Sequence, residues 1–123
     1  MADKWNLIAV ATTDGIVVNS HFGRATHFQI VKMNMDCFAY EVIGSIDVEP
    51  VCHGGNHDEE ELRKRIDECR KYQYILVSRV GETARNEIEK CGIGIYEIPG
   101  LIEESLYSLF THLKIQNLFM DYF

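Results

Sequence analysis

The sequence predicts an α/β fold in which one mixed, five-stranded-type sheet is flanked by helices in the order ββββ-α-β-α-β-α. The first 44 residues hold short apolar or alternating runs separated by turn residues, and the remainder alternates helical patterns with buried strand runs. Tight turns join antiparallel strands and crossover helices join parallel ones, so a mixed sheet satisfies both halves. Because the 123 residues contain no repeat or low-complexity segment, we expect a single domain over 1–123.

The amino-terminal part predicts four strands joined by short turns. Asp14-Gly15 between apolar runs is typical of a hairpin turn, because glycine tolerates positive φ. A second turn is predicted at 34–36, and residues 45–56 have the composition of a loop. Four short runs of apolar or alternating residues predict the strands, and they span 7–11, 16–18, 27–33 and 37–42.

The carboxyl-terminal part predicts three helices, which begin near 58, 81 and 101, with strands at 74–77 and 93–98 between them. Gly92 fits the end of the second helix. Cys69 and Cys91 fall on apolar helix faces and Cys37 falls in a strand, so we expect all three to be structural. Residues with helical spacing predict the inner faces: Leu62, Ile66 and Cys69; Ala84, Ile88 and Cys91; and Ile102, Leu106, Leu109, Phe110, Leu113 and Leu118.

Composition and charge exclude several classes of function. A formal net charge of −7 disfavours binding to bulk nucleic acid, which needs many Lys and Arg residues. No stretch approaches the roughly 18 apolar residues of a membrane span, and no secretory signal is evident, so we expect a cytoplasmic protein that binds no membrane. The four cysteines form no CxxC pair, which argues against disulfides and against a four-cysteine zinc site.

Residues 19–24 read Asn-Ser-His-Phe-Gly-Arg and lie between two predicted strands. They belong to a stretch, 15–35, that contains no acidic residue. Gly23 permits a sharp turn that would present the imidazole of His21, a ligand for iron, zinc, copper or nickel. Arg24 can hold an anion through forked hydrogen bonds. The loop therefore suits an anionic or metal-bearing guest, although a surface histidine and a solvated arginine would also fit.

A second cluster, Cys52, His53 and His57, surrounds two glycines. Thiolate and imidazole are soft ligands suited to zinc or to iron–sulfur units. The spacing matches no standard zinc finger, and a glycine-rich loop with incidental polar residues is the alternative.

Arg79 follows a buried strand in the run Ser78-Arg79-Val80-Gly81, which leads into a helix. Helix amino termini favour anions, and ligands of open α/β sheets bind at the carboxyl ends of strands. Arg79 is therefore a candidate second cation, with an exposed arginine on a plain turn as the alternative. GxGxxG and P-loop motifs are absent, as are G-x-S-x-G and H-E-x-x-H.

The residues resemble those of the dinitrogenase iron–molybdenum cofactor biosynthesis family, which includes NifX, NafY and the carboxyl-terminal domain of NifB. The resemblance covers roughly residues 6–110. The matching segments are Ile8-Ala-Val-Ala11, Val18-Asn-Ser-His-Phe-Gly-Arg-Ala25 with Phe28, Cys52-His-Gly-Gly55, Tyr74-Ile-Leu-Val-Ser-Arg-Val-Gly81, Glu89-Lys-Cys-Gly-Ile93 and Ile102-Glu-Glu104.

This resemblance implies a ribonuclease-H-like fold and a non-enzymatic carrier of an iron–sulfur cluster, the iron–molybdenum cofactor or a precursor of it. It makes His21 the expected cluster ligand and Cys52 a second candidate, in a pocket formed by His21, Phe22, Gly23, Arg24, Arg79 and Gly81. A protein that synthesises or accepts the cofactor is the implied partner. The radical enzyme domain of NifB has no counterpart in these residues, so cluster synthesis is not implied.

Other functions remain open at this point. A single-metal protein of zinc type would use His21, Cys52, His53 and His57, whereas a protein-interaction module would need no metal. A two-metal nuclease needs several converging carboxylates, and the first strand, 7–11, offers none.

Overall fold

The computed structural model describes residues 5–50 and 58–122 of the chain. Within these residues the elements follow the predicted order, with one short strand added before the last helix. The elements are β1 (Trp5–Ala11), β2 (Val17–Val18), β3 (His27–Asn34), β4 (Ala39–Asp47), α1 (Asp58–Glu68), β5 (Tyr74–Val77), α2 (Glu82–Lys90), β6 (Gly94–Glu97), β7 (Gly100–Leu101) and α3 (Ile102–Tyr122).

Five strands form one mixed sheet in the order β4-β3-β1-β5-β6. β1 lies at the centre, antiparallel to β3 and parallel to β5, with Ile8 opposite Val31 on one side and opposite Tyr74 on the other. β6 extends the parallel half beside β5, and β4 extends the antiparallel half beside β3. The predicted mixed five-stranded sheet is therefore confirmed.

The predicted hairpin between the first two strands is wrong. Gly15 does adopt φ +76° in the turn, where the backbone N–H groups of Ile16 and Val17 donate to Asp14 and hold the pKa of its carboxyl below the usual value. However, β3 and β5 already occupy both edges of β1, so no edge remains for β2. β2 pairs instead with β7 in a separate antiparallel ribbon.

β4 is longer than predicted, because Ser45–Asp47, which we expected to be a loop, pairs with the start of β3. β4 lies at the sheet edge, and most of its side chains are exposed on both faces. The register shifts between Ile30 and Val31, which leaves Ile43 as an extra residue in β4. Cys37 precedes β4 in an exposed turn, so its predicted strand position is also wrong.

Helices cover both faces of the sheet. α1 and α2 pack on one face through Ile66 and Ile88, and Cys69, in the turn that follows α1, lies in the same cluster. α3 packs on the other face, and the residues through which it does so are Ile102, Leu106, Leu109 and Leu113. None of the helices in the described ranges is long and apolar enough to cross a membrane.

The inner faces of the helices agree with their predicted spacing, with one exception. Leu113 is 4% exposed, but Leu118, five residues later, is 60% exposed, so the carboxyl-terminal end of α3 does not pack on the sheet. The helix stop at Gly92 is confirmed, since this residue has φ +81°.

Candidate functional site

The loop at 19–24 lies at the carboxyl edge of the parallel strands. Ser20, His21 and Phe22 run beside the residues that follow β5, and His21 forms a parallel bridge with Arg79. The Ser78 N–H donates to the Ser20 carbonyl oxygen at 3.0 Å, and the Phe22 N–H donates to the Arg79 carbonyl oxygen at 2.9 Å. These bonds bring two segments 58 positions apart in the sequence to one place, where ligands of open α/β sheets bind.

His21, Arg24 and Arg79 line one shallow, open hollow of about 300 Å³, together with Gly23 and Gly81. All three side chains are exposed. Within residues 5–50 and 58–122, neither arginine forms an ion pair with a carboxylate. The sequence prediction that these residues meet is therefore consistent with the geometry, and the hollow presents one imidazole beside two guanidinium groups.

Phe22 differs from the other expected pocket residues, because its side chain is only 1% exposed. Its ring packs in the core with its centroid 6.5 Å from that of Phe28, in an edge-to-face arrangement. Phe22 thus anchors the loop between His21 and Gly23 and offers only its backbone to a guest.

Arg65 of α1 reaches the same loop from below. It is 2% exposed, and its Nη1 donates to the Phe22 carbonyl oxygen at 2.8 Å while Nη2 donates to that of Ala25 at 3.3 Å. Sequence reasoning missed this residue. Its place in the helical pattern could have identified it as buried, because it lies three residues after Leu62 and four before Cys69 and so shares the buried face of α1.

A carboxylate, Glu97, also reaches the rim of the hollow. Its Oε2 accepts the Val80 N–H at 2.8 Å, and its Oε1 lies 3.4 Å from Nη2 of Arg85. The carboxylate-free stretch noted in the sequence therefore does not describe the whole site. Because Arg85 neutralises Glu97, the excess positive charge of the hollow still comes from Arg24 and Arg79.

His27 takes no part in the hollow. It begins β3, and its Nδ1 lies 2.8 Å from Oδ1 of Asp47 on the neighbouring strand. His27 is therefore a strand-end residue whose imidazole contacts the neighbouring edge strand rather than the hollow.

The second predicted cluster, Cys52, His53 and His57, lies outside the described residues. Among the residues that are described, no group of three or more His, Cys, Asp and Glu side chains could hold a metal ion. His21 is therefore the only one of the four predicted metal ligands whose surroundings the structure defines.

Two cavities larger than the hollow lie elsewhere in the described part of the protein. One of about 450 Å³ separates α1 from α2 and is floored by Leu62 and Ile66, with Cys91 at its side. Another of about 440 Å³ borders Arg65 and the end of β4. Neither cavity contains a residue predicted to bind the guest, so volume alone does not mark the site.

Comparison with known proteins agrees with this architecture. The crystal structure of PH0822 superposes with a TM-score of 0.59 at 20% identity, covering 86% of this chain and 89% of that one, which establishes a shared fold. Two proteins named FeMo cofactor biosynthesis protein NifB are similar in sequence: that of Chlorobaculum tepidum is 29% identical over 90% of this chain, and that of Rhizobium leguminosarum bv. trifolii is 30% identical over 89%.

The chain spans only about a quarter of the length of these curated relatives, 25% of the first and 22% of the second. The family model described as dinitrogenase iron-molybdenum cofactor matches residues 4–111, which include the loop, β5 and the turn that carries Arg79. The chain therefore belongs to the dinitrogenase iron-molybdenum cofactor family.

Proposed function

We propose that the protein binds and carries an iron–sulfur cluster, the iron–molybdenum cofactor or a precursor of it, without catalysing a reaction. The observation that supports this most directly is the open hollow in which the imidazole of His21 lies beside Arg24 and Arg79. Membership of the family, and the name that its relatives carry, give the chemical class of the cargo.

The chemistry of the hollow suits an anionic metal–sulfur cargo. A neutral imidazole can ligate an exposed iron, while guanidinium groups and backbone N–H groups stabilise negative charge on sulfides and carboxylates. The amino terminus of α2 adds positive electrostatic potential to the hollow, since its capping residue, Gly81, lines the hollow. Because the hollow is open and offers one imidazole, the cargo can leave again, as transfer to an accepting protein requires.

The remaining parts of the proposal follow the same reasoning. The partner is a protein that synthesises or accepts the cofactor, and the whole chain, with a core at about 6–110, serves as one cofactor-binding domain in the cytoplasm. A ribonuclease-H-like assignment is supported by the sheet order, in which β3 alone runs against the other four strands.

A single-metal site of zinc type is the alternative. It would use His21 with Cys52, His53 and His57, and the three latter residues lie outside the described part of the chain. Metal counting after anaerobic purification separates the two: stoichiometric zinc without iron–sulfur absorption would favour the alternative.

The main test is anaerobic titration with isolated iron–molybdenum cofactor. We expect His21→Ala to weaken binding at least tenfold, about 1.4 kcal/mol, without changing the circular dichroism spectrum, because His21 is exposed. His112→Ala is the matched control, since this exposed histidine lies on α3, across the sheet from the hollow. Equal affinity of His21→Ala and His112→Ala would remove the imidazole from the site.

A further inference from the structure

Arg65 makes an unusual set of contacts for a charged residue. Its guanidinium donates to three backbone carbonyl oxygens, those of Phe22, Ala25 and Glu49. The same group lies 5.7 Å from the ring centroids of both Phe22 and Phe28. Burying a guanidinium is costly unless its donors are satisfied, so these contacts fix both the side chain and the backbone that it touches.

Arg65 contacts the backbone of the His21 loop on the side of the loop that faces α1. On one side the loop is attached by the Phe22 N–H to Arg79, and internally by the Arg24 N–H, which donates to the His21 carbonyl oxygen at 3.2 Å. On the side facing α1, the carbonyls of Phe22 and Ala25 both point to Arg65, and they bracket Gly23 and Arg24.

The contact to Glu49 extends this arrangement. Glu49 lies just after β4, and the Val48 N–H donates to the Thr26 carbonyl oxygen at 2.8 Å. One guanidinium therefore connects three separate pieces of chain: the His21 loop, the segment that leaves β4, and α1.

We infer that Arg65 is a positioning residue that sets the affinity of the hollow by holding the backbone of residues 22–25 against α1. This inference rests on the proposed function of the hollow. Arg65 itself is buried beneath the loop and does not line the hollow, so it acts through His21 and Arg24. Lysine cannot replace it, because a single ammonium nitrogen cannot reach carbonyls that the two terminal nitrogens of a planar guanidinium span.

The test compares Arg65→Lys with two controls on the same helix. Arg63→Lys makes the same chemical change at an exposed position, and Ile66→Val destabilises the core through a residue that is 4% exposed. We expect Arg65→Lys to raise the hydrogen-exchange rates of the Phe22 and Arg24 amides at least tenfold relative to the Ile98 amide, and to weaken binding of isolated iron–molybdenum cofactor at least tenfold. We expect Arg63→Lys to have the same amide exchange rates and the same cofactor affinity as the unaltered chain. We expect Ile66→Val to lower the free energy of unfolding without changing the cofactor affinity.

Unchanged loop exchange or unchanged cofactor affinity in folded Arg65→Lys would overturn the inference, as would an equal loss of affinity in Ile66→Val. If Arg65→Lys does not fold, the unaltered chain provides the measurement: guanidinium protons of Arg65 that exchange as fast as those of Arg63 would also overturn it. His21→Ala, titrated in the same series, tests the proposed function separately, since unchanged affinity in that variant removes the imidazole from the binding site whatever the result for Arg65→Lys.

Discussion

Leu109→Ala and Leu118→Ala form a matched pair that measures where α3 stops contributing to the core. Leu109 is 0% exposed and packs in the cluster between α3 and the sheet, whereas Leu118 is 60% exposed on the same helix. Truncating a fully buried leucine removes its transfer free energy and leaves a cavity, which together destabilise a domain by about 2–5 kcal/mol. At position 118 only about two-fifths of the side chain is covered, and no cavity forms, so we expect a loss below about 1 kcal/mol.

Urea unfolding followed by circular dichroism gives both free energies directly. An unfolding entropy of about 2.1 cal/mol/K per residue over 123 residues converts these free energies to a fall in Tm of about 8–19 °C for Leu109→Ala and below about 4 °C for Leu118→Ala. A loss above 2 kcal/mol for Leu118→Ala, or one below 1 kcal/mol for Leu109→Ala, would refute the reasoning from burial.

Two further expectations concern a glycine and a thiol. Gly92→Ala should lower the free energy of unfolding by about 1–2 kcal/mol because φ is +81°, whereas Gly44→Ala, also in open space but without positive φ, should change it by less than about 0.5 kcal/mol in the same urea titration. Burial raises the pKa of the Cys69 thiol to about 11, so the unfolded chain ionises first and stability falls as pH rises from about 9 to 11. Relative to Cys69→Ala, urea titrations should show an extra loss of roughly 2 kcal/mol over that range, and an equal pH dependence of both proteins would contradict this.

Elements with a strong local pattern were predictable from the sequence. Burial could be predicted for β1 and β5 from their apolar runs, and for Leu106, Leu109 and Leu113 from their helical spacing. The prediction succeeds because another helix or strand packs against each of these elements. From these elements the mixed sheet follows, since the crossovers require parallel strands.

The errors occur where pairing depends on distant parts of the chain. β2 and β7 have two residues each. The apolar run at 16–18 predicted β2 as a strand, but its partner Leu101 lies 84 residues later, so no local pattern indicates this pairing or the strand β7. The end of β4 lacks alternation because an edge strand is exposed on both faces, and only its pairing with β3 defines it.

The candidate site divides in the same way. His21 and Arg24, which face solvent, were identifiable from their residue types and from Gly23, which lies between them in the loop. Arg65 and Glu97 act through contacts with backbone 43 and 17 residues away, and such contacts leave no trace in the local sequence beyond the buried helical position of Arg65.

The central place of β1 makes the two halves of this protein mutually dependent. Val31 and Tyr74 flank Ile8 on opposite sides, so residues from both ends of the chain are needed before the central strand has two neighbours. A cut between β4 and α1 would leave the amino-terminal fragment with the apolar edge of β1 bare, a surface prone to aggregation. The chain should therefore tolerate reassembly from two co-expressed fragments better than the expression of either fragment alone.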